Sequence, residues 1–235
     1  MSFDLKDFIK RRTDKTVFTG LPLTIFIIVF LILLATFLGL TDAIVNSAPL
    51  VKVDDAFEHF LYSKRTPELA QIFYIITNFA NQITIAILGI ASVAYLYFKK
   101  EFDYLYGLVI VLLGTDATVY IMKILINRVR PGADIAYYLE SSKSFPSGHS
   151  AIAMAFFGFV IYYLIRHMRS RKLPIILFGS ILIGLIGFSR LYLGVHFLSD
   201  VIGGFVMGAL WLSVAISFRE RNFYLSSLKK LIKES

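Results

Sequence analysis

Six stretches of this chain are so long and so poor in charge that only a lipid bilayer offers them a matching solvent. Residues 16–41 and 69–98 contain no Asp, Glu, Lys or Arg, and neither do 150–165, 173–189 and 201–218; the stretch 104–122 holds Asp116 alone. A helix that crosses the hydrocarbon core needs about 20 apolar residues. The last three runs, at 16, 17 and 18 residues, reach that length when His149, Arg190 and Asp200 sit at the membrane edge. The first run exceeds the roughly 7–15-residue apolar core of a signal peptide and reads as an uncleaved anchor. Composition agrees: with 57% hydrophobic and 17% charged residues, 22 Phe and 13 Tyr, the chain has more apolar bulk than one small soluble core can bury. The same composition excludes a disordered chain. With no Cys there is no disulfide scaffold, thiolate metal site or Cys nucleophile.

Lys and Arg positions orient the spans, because basic residues gather on cytoplasmic loops. Sixteen of the 24 fall on one set of alternate ends: Lys6, Lys10, Arg11, Arg12 and Lys15, then Lys99 and Lys100, then Arg166, Arg169, Arg171 and Lys172, then Arg219, Arg221, Lys229, Lys230 and Lys233. The opposite ends carry eight. Both termini are therefore expected in the cytoplasm. The net charge of +8 reads as a topology signal with affinity for anionic lipid, and not as a nucleic-acid surface. In the first outer loop, Val53, Ala56, Phe57, Phe60 and Leu61 recur at helical spacing, with Asp54, Asp55, Glu58 and His59 elsewhere. That pattern predicts an amphipathic helix lying in the interface. Thr66-Pro67 supplies an N-cap and a first-turn proline where the second span begins. No repeat, low-complexity tract or linker divides the chain. The expectation is an all-α polytopic membrane protein, with one membrane-embedded domain over 1–235, six transmembrane helices in a bundle, and basic tails at 1–15 and 219–235.

On this topology the unusual residues gather at one depth. Lys123 ends the third span, Arg130 lies in the outer loop, and Pro146-Ser147-Gly148-His149 opens the fourth span. Arg190 ends the fifth span, and His196 and Asp200 stand at the start of the sixth. Ionisable groups at that depth are costly and mark function. His196 and Asp200, four apart, are expected to share a helix face. A carboxylate that accepts one imidazole N–H fixes the tautomer and leaves the other nitrogen oriented and nucleophilic. The Pro-Ser-Gly-His start offers free N–H groups and a helix dipole to an anion. Lys123, Arg130 and Arg190 supply positive charge for a phosphoryl group. A nucleophile, a second imidazole as acid and several anion donors make a phosphoryl-transfer site.

Lys123-Ile124-Leu125-Ile126-Asn127-Arg128-Val129-Arg130-Pro131, then Pro146-Ser147-Gly148-His149, then Ser189-Arg190 with His196 and Asp200, resembles the three-part signature of the integral-membrane type 2 phosphatidic acid phosphatase (lipid phosphate phosphatase) superfamily. The resemblance covers about residues 70–218. It implies that Lys123, Arg130 and Arg190 hold the phosphate, with Ser147 and the Gly148 backbone completing the cradle. It implies that His196 attacks phosphorus to form a phosphohistidine, that Asp200 orients His196, and that His149 protonates the leaving oxygen and then activates water. It implies no metal and no cofactor, and the outer face carries no carboxylate cluster suited to a divalent ion.

The expected activity is hydrolysis of a lipid phosphate monoester or diphosphate at the outer face of a prokaryotic plasma membrane, with the lipid tail held in the bilayer. Undecaprenyl diphosphate, phosphatidylglycerophosphate and phosphatidic acid are the candidate substrates, and an outward-facing site favours the polyprenyl diphosphate. A transporter or scramblase, or a phosphotransferase on the same scaffold, stands as the alternative. Asp116 reads as a buried carboxyl satisfied by Thr115, Thr118 or a neighbouring helix, or else as support for the cation site. Arg128 reads as a solvated loop cation. Asn78, Asn81 and Gln82 read as hydrogen-bonding between helices. The sequence leaves oligomeric state open.

Overall fold

The structure, a computed structural model, describes Thr13 and residues 17–234, without the side chains of Arg169 and of 227–234. Lys6, Lys10, Arg11, Arg12 and Lys15, read above as a basic tail, lie outside the described residues. The described elements are helices: α1 (Leu21–Asn46), α2 (Ala48–Ser63), α3 (Pro67–Thr77), α4 (Gln82–Phe98), α5 (Phe102–Ile126), α6 (Gly148–His167), α7 (Lys172–Tyr192) and α8 (Leu198–Glu234). Among the described residues there is no strand. Five of them, α1, α5, α6, α7 and α8, are each long and apolar enough to cross a bilayer, and α3 with α4 makes a sixth span if the bent pair is counted as one.

That pair departs from the uninterrupted helix the sequence suggested. A single 3-10 turn at Asn78–Ala80 separates α3 from α4, and the two axes differ by 41°. The amides explain the break. Asn81 caps α4, its Oδ1 accepting from the Thr84 N–H at 2.7 Å, while its Nδ2 donates to Asn78 Oδ1 at 2.9 Å. Asn78 in turn donates to the Tyr74 carbonyl at 2.9 Å, and Gln82 is exposed. Asn78 and Asn81 therefore serve local caps instead of bonding between helices. At the start of α3 the predicted cap is present, with Thr66 Oγ1 accepting from Leu69 N–H at 3.3 Å and Pro67 following.

The α8 helix is the hub, packed along α5, α1 and α6. Its Gly204 and Gly208 let α6 approach to backbone contact. A Cβ at Gly208 would stand 2.2 Å from the Ala151 carbonyl oxygen, and one at Gly204 2.5 Å from that of Ser147. Small residues four apart commonly set such crossings between membrane helices, where packing replaces the hydrophobic drive. One buried cluster joins Leu108 and Val111 of α5 to Phe156, Phe159 and Ala215; a second joins Phe37 of α1 to Val119, Phe145, Ala151 and Met207. Within α6, Ala153–Phe157 forms a single π-turn, a feature that often accompanies functional sites.

Asp116 reverses a sequence expectation, and α2 shows which of its faces meets protein. On α2 the buried side carries Asp54 and Glu58, at 1% and 8% exposure, together with Leu61, while Val53, Ala56 and Phe60 point outward and Phe57 is half-buried. The helical period was legible, but not which face meets protein. Asp116 is exposed on α5 instead of buried. Thr118 is already engaged with the Gly114 carbonyl at 2.8 Å and the Trp211 indole N–H at 3.0 Å, and the buried Thr115 hydroxyl has no partner.

Candidate active site

Local folding rules carry each side chain to one end of the bundle. The α5 helix stops at Asn127, whose left-handed φ of 51° suits an asparagine C-cap, so the chain leaves just after Lys123. The loop then runs to Ser147, the N-cap of α6, which puts Gly148 and His149 in the first turn. Pro146 stands before this cap and not inside the helix. After α7 the chain turns at Gly194, with φ of 64°, where a Cβ would come within 2.9 Å of the Ile135 carbonyl oxygen. That turn delivers His196 to the bend before α8.

His196 is therefore not on the α8 helix with Asp200. Phe197 is the residue before the helix and Asp200 its third residue, with the Asp200 carboxylate reaching back to accept from the Phe197 N–H at 2.9 Å. This is the carboxylate half of a capping box. The same oxygen, Oδ2, lies 3.4 Å from His196 Nδ1 and accepts from Ser144 Oγ at 2.5 Å. His196 Nε2 lies 3.0 Å from Arg130 Nη1. A guanidinium only donates, so Nε2 accepts and Nδ1 carries the hydrogen toward Asp200. Burial, then the charges of Arg130, Arg190 and Lys123, push the His196 imidazole well below its ordinary pKa, with Glu140 pulling the other way. The imidazole is neutral at pH 7.

The cations converge from three stretches. Arg190 is fully buried and donates to Thr77 Oγ1 at 2.9 Å, to the Tyr138 hydroxyl and to Glu140 Oε1, while its Nε has no partner. Arg130 donates through Nε to the Ser142 carbonyl at 2.6 Å and through Nη2 to Glu140 Oε2 at 3.1 Å. Lys123 Nζ donates to the Lys143 carbonyl. His149 is half-buried in the first turn of α6, and Ser147, the N-cap of that helix, donates its N–H to the Asp200 carbonyl at 3.0 Å.

Ser147 and Gly148 form the start of α6. Ser147 Oγ is turned into the helix start, accepting from Ser150 N–H at 3.5 Å and Ser150 Oγ at 3.0 Å. A Cβ at Gly148 would meet only Val119, at 3.7 Å, so protein packing does not demand glycine there.

Sequence reasoning missed Glu140, Tyr138, Ser144 and Thr77, and misread Arg128. Glu140 joins two arginines; burial alone would raise its carboxyl, but Arg190 and Arg130 reverse this and hold it at about 2. Arg128 is no solvated cation, since it bridges Asp54 and Asp200, each at 2.6 Å. Burial works against the Arg128 charge, yet Asp200 and Asp54 outweigh it and raise the pKa. A cavity of about 280 Å³ adjoins the cluster, lined by Arg130, Tyr138, Glu140, Ser142, Lys143 and Val195 among others. Among the described residues no three His, Asp or Glu side chains gather as a metal-ligand set.

Comparison with known proteins extends these observations. The PAP2 superfamily model matches residues 103–224. Phosphatidylglycerophosphatase B of Bacillus subtilis is 35% identical over 192 residues, covering 79% of this chain and 92% of that protein. Lipid phosphate phosphatase delta of Arabidopsis thaliana is 28% identical over 80 residues, 32% of this chain and 19% of that one. Among solved structures, the first transmembrane PAP2 type phosphatidylglycerolphosphate phosphatase from Bacillus subtilis superposes with a TM-score of 0.75 at 30% identity, covering 82% of this chain and 96% of that one. LpxE of Aquifex aeolicus, at 22% identity and a TM-score of 0.56, covers 74% of this chain and 98% of that one and shares the fold. A family match running from α5 into α8, with a likeness covering 92% of a phosphatidylglycerophosphatase, makes the chain a membrane-embedded lipid phosphatase. It belongs to the PAP2 superfamily.

Proposed function

We propose that the chain hydrolyses a lipid phosphate through a phosphohistidine intermediate on His196, without a metal, at the outer face of a prokaryotic plasma membrane. One observation carries the reading: His149 opens the helix whose N-cap residue, Ser147, is hydrogen-bonded to Asp200, and His196 has its tautomer set by an arginine on Nε2 and the Asp200 carboxylate beside Nδ1. His196 Nε2 attacks phosphorus as the bond to the lipid oxygen breaks, and His149 donates its proton to that oxygen. Water then attacks the phosphohistidine, His149 takes the water's proton, and inorganic phosphate leaves. Lys123, Arg130 and Arg190 hold the phosphoryl oxygens, the partnerless Arg190 Nε among the donors. Ser147 acts through the N-cap that holds Gly148 and His149, and the Gly148 N–H serves the anion.

Phosphatidylglycerophosphate is the best-supported substrate, ahead of the polyprenyl diphosphate favoured by sidedness alone. The support is the Bacillus relative of that name, matched over 92% of its length. Both ends of the described chain face the cytoplasm, and α2 lies in the outer interface with Val53, Ala56 and Phe60 toward lipid.

The test is phosphate release in detergent from phosphatidylglycerophosphate, phosphatidic acid and undecaprenyl diphosphate, comparing wild type with His196→Ala. Release that persists in EDTA, stops with orthovanadate and is lost in His196→Ala supports the proposal. Loss in EDTA, or turnover surviving His196→Ala, overturns it. His149→Ala is expected to slow monoesters far more than diphosphates, whose leaving group needs no acid; equal losses remove His149 from that role.

A further inference from the structure

Resting on that reading, we propose that Asp54 of α2 is a positioning residue for the reaction, acting through Arg128 on the Asp200–His196 pair. Asp54 comes from the helix between the first two spans, yet its carboxylate is 1% exposed and fully occupied. Oδ1 accepts from Ser199 N–H at 3.0 Å; Oδ2 accepts from Ser199 Oγ at 2.5 Å and Arg128 Nη2 at 2.6 Å. The other arm of the same guanidinium, Nη1, donates to Asp200 Oδ1 at 2.6 Å and to Ser199 Oγ at 2.7 Å. Arg128 is further fixed by the Phe197 ring, whose centroid lies 4.4 Å from Cζ. With Oδ1 committed to Arg128, Asp200 presents Oδ2 alone to Ser144, Phe197 N–H and His196 Nδ1.

The charge count gives this arrangement a chemical consequence. Two carboxylates share one guanidinium, so the Asp54–Arg128–Asp200 group keeps one buried negative charge in excess. That charge stands beside the imidazole that must become cationic when His196 takes phosphorus. Without Asp54, Arg128 would neutralise Asp200 one to one and lose the anchor that directs its fork. A buried ion pair is a weak source of stability, because desolvation offsets the attraction. Stability is therefore a poor account of a guanidinium placed between a helix outside the spans and the carboxylate next to His196.

The experiment uses the full chain in detergent with Asp54→Asn, Arg128→Lys and the double variant, assayed for phosphate release from phosphatidylglycerophosphate. Arg128→Lys keeps the charge and loses the fork. Each single change is expected to lower kcat roughly 10–100-fold, with KM within about threefold. The double variant should fall no further than the weaker single, as coupled groups do. A second readout needs no turnover. The chain has four His, so the His196 signals in a 15N-histidine spectrum are assigned by their loss in His196→Ala. Asp54→Asn and Arg128→Lys are expected to move the Nδ1 signal of His196. Folded Asp54→Asn with kcat within about twofold of wild type, a rise in KM at unchanged kcat, or an unmoved His196 signal each overturns the proposal. If Asp54→Asn does not fold, Arg128→Lys decides by the same criteria. Wild type that releases no phosphate would sink the proposed function, while the His196 spectrum would still decide the role of Asp54.

Discussion

Glu140 sits where an incoming phosphate would find its partners. Its carboxylate is held by Arg190 and Arg130, the same guanidiniums proposed to take phosphoryl oxygens. A substrate phosphate must therefore displace a resident anion. Charge-assisted bonds of this kind contribute about 1.5–3 kcal/mol each, which in competition is roughly tenfold or more in affinity. Glu140→Gln is predicted to tighten orthovanadate binding about tenfold and to lower KM. Unchanged or weaker vanadate binding would mean that the carboxylate aims the arginines instead of competing for them. The pH dependence has a definite sign. The Glu140 pKa is depressed from 4.5 to about 2, so the carboxylate contributes stability in full above 4.5, and the contribution is lost as pH falls through 2. The gap in melting temperature between wild type and Glu140→Gln should therefore close as pH is lowered from 5 to 2. None of this was legible beforehand. Lys123, Arg130, Arg190 and the two histidines declare themselves by charge at a span end. Glu140 and Arg128 owe their roles to partners 50 and 74 residues away, and no local pattern records such pairings.

At the scale of elements, the α6–α8 crossing sets the distance between the two halves of the site. His149 rides on the first turn of α6 and Asp200 on the first turn of α8, and Ser147 N–H donates to the Asp200 carbonyl at 3.0 Å. Gly208, one turn beyond Gly204, is the contact that a side chain would wedge open. Gly208→Leu is predicted to destabilise the bundle by roughly 1–3 kcal/mol, the usual cost of overpacking, and to depress kcat by moving His149 away from His196. Gly184→Ala is the control, because its Cβ would meet nothing within 4 Å. It should leave activity intact and leave melting unchanged or slightly raised, since alanine is the better helix former. Thermal melts and phosphate release on the two variants decide the matter. If Gly208→Leu melts and turns over like wild type, the crossing does not govern the site. The protein-facing side of α2 was not legible in the sequence, because Asp54 and Glu58 carry the mark of a solvated face and only tertiary partners make them buried.

The whole molecule turns on the bent pair, which determines the side on which the site opens. The α3 and α4 helices together offer about 42 Å of helix at 1.5 Å per residue, ample for a core of roughly 30 Å even with the 41° bend. If the pair crosses, six spans put both ends of the described chain on one side and the 127–147 loop on the other. If it instead dips in and returns, the 99–103 loop joins the first outer loop, and the site changes sides. Apolar length alone does not separate these cases. The basic residues favour crossing, because Lys99, Lys100, Arg166, Arg171, Lys172, Arg219 and Arg221 would all fall on the inner ends of a six-span arrangement. The chain contains no Cys, so single substitutions report sidedness without a cleared background. Ser141, in the loop beside Glu140, and Lys99, after α4, are both exposed. In intact cells or right-side-out vesicles, a membrane-impermeant maleimide is predicted to label Ser141→Cys and to reach Lys99→Cys only after permeabilisation. Labelling of Lys99→Cys from outside, with Ser141→Cys protected, would turn the bent pair into a re-entrant hairpin and move the chemistry to the cytoplasmic face. A lipid phosphate in the inner leaflet would then be the substrate, and the outward-facing part of the functional proposal would fall with the topology.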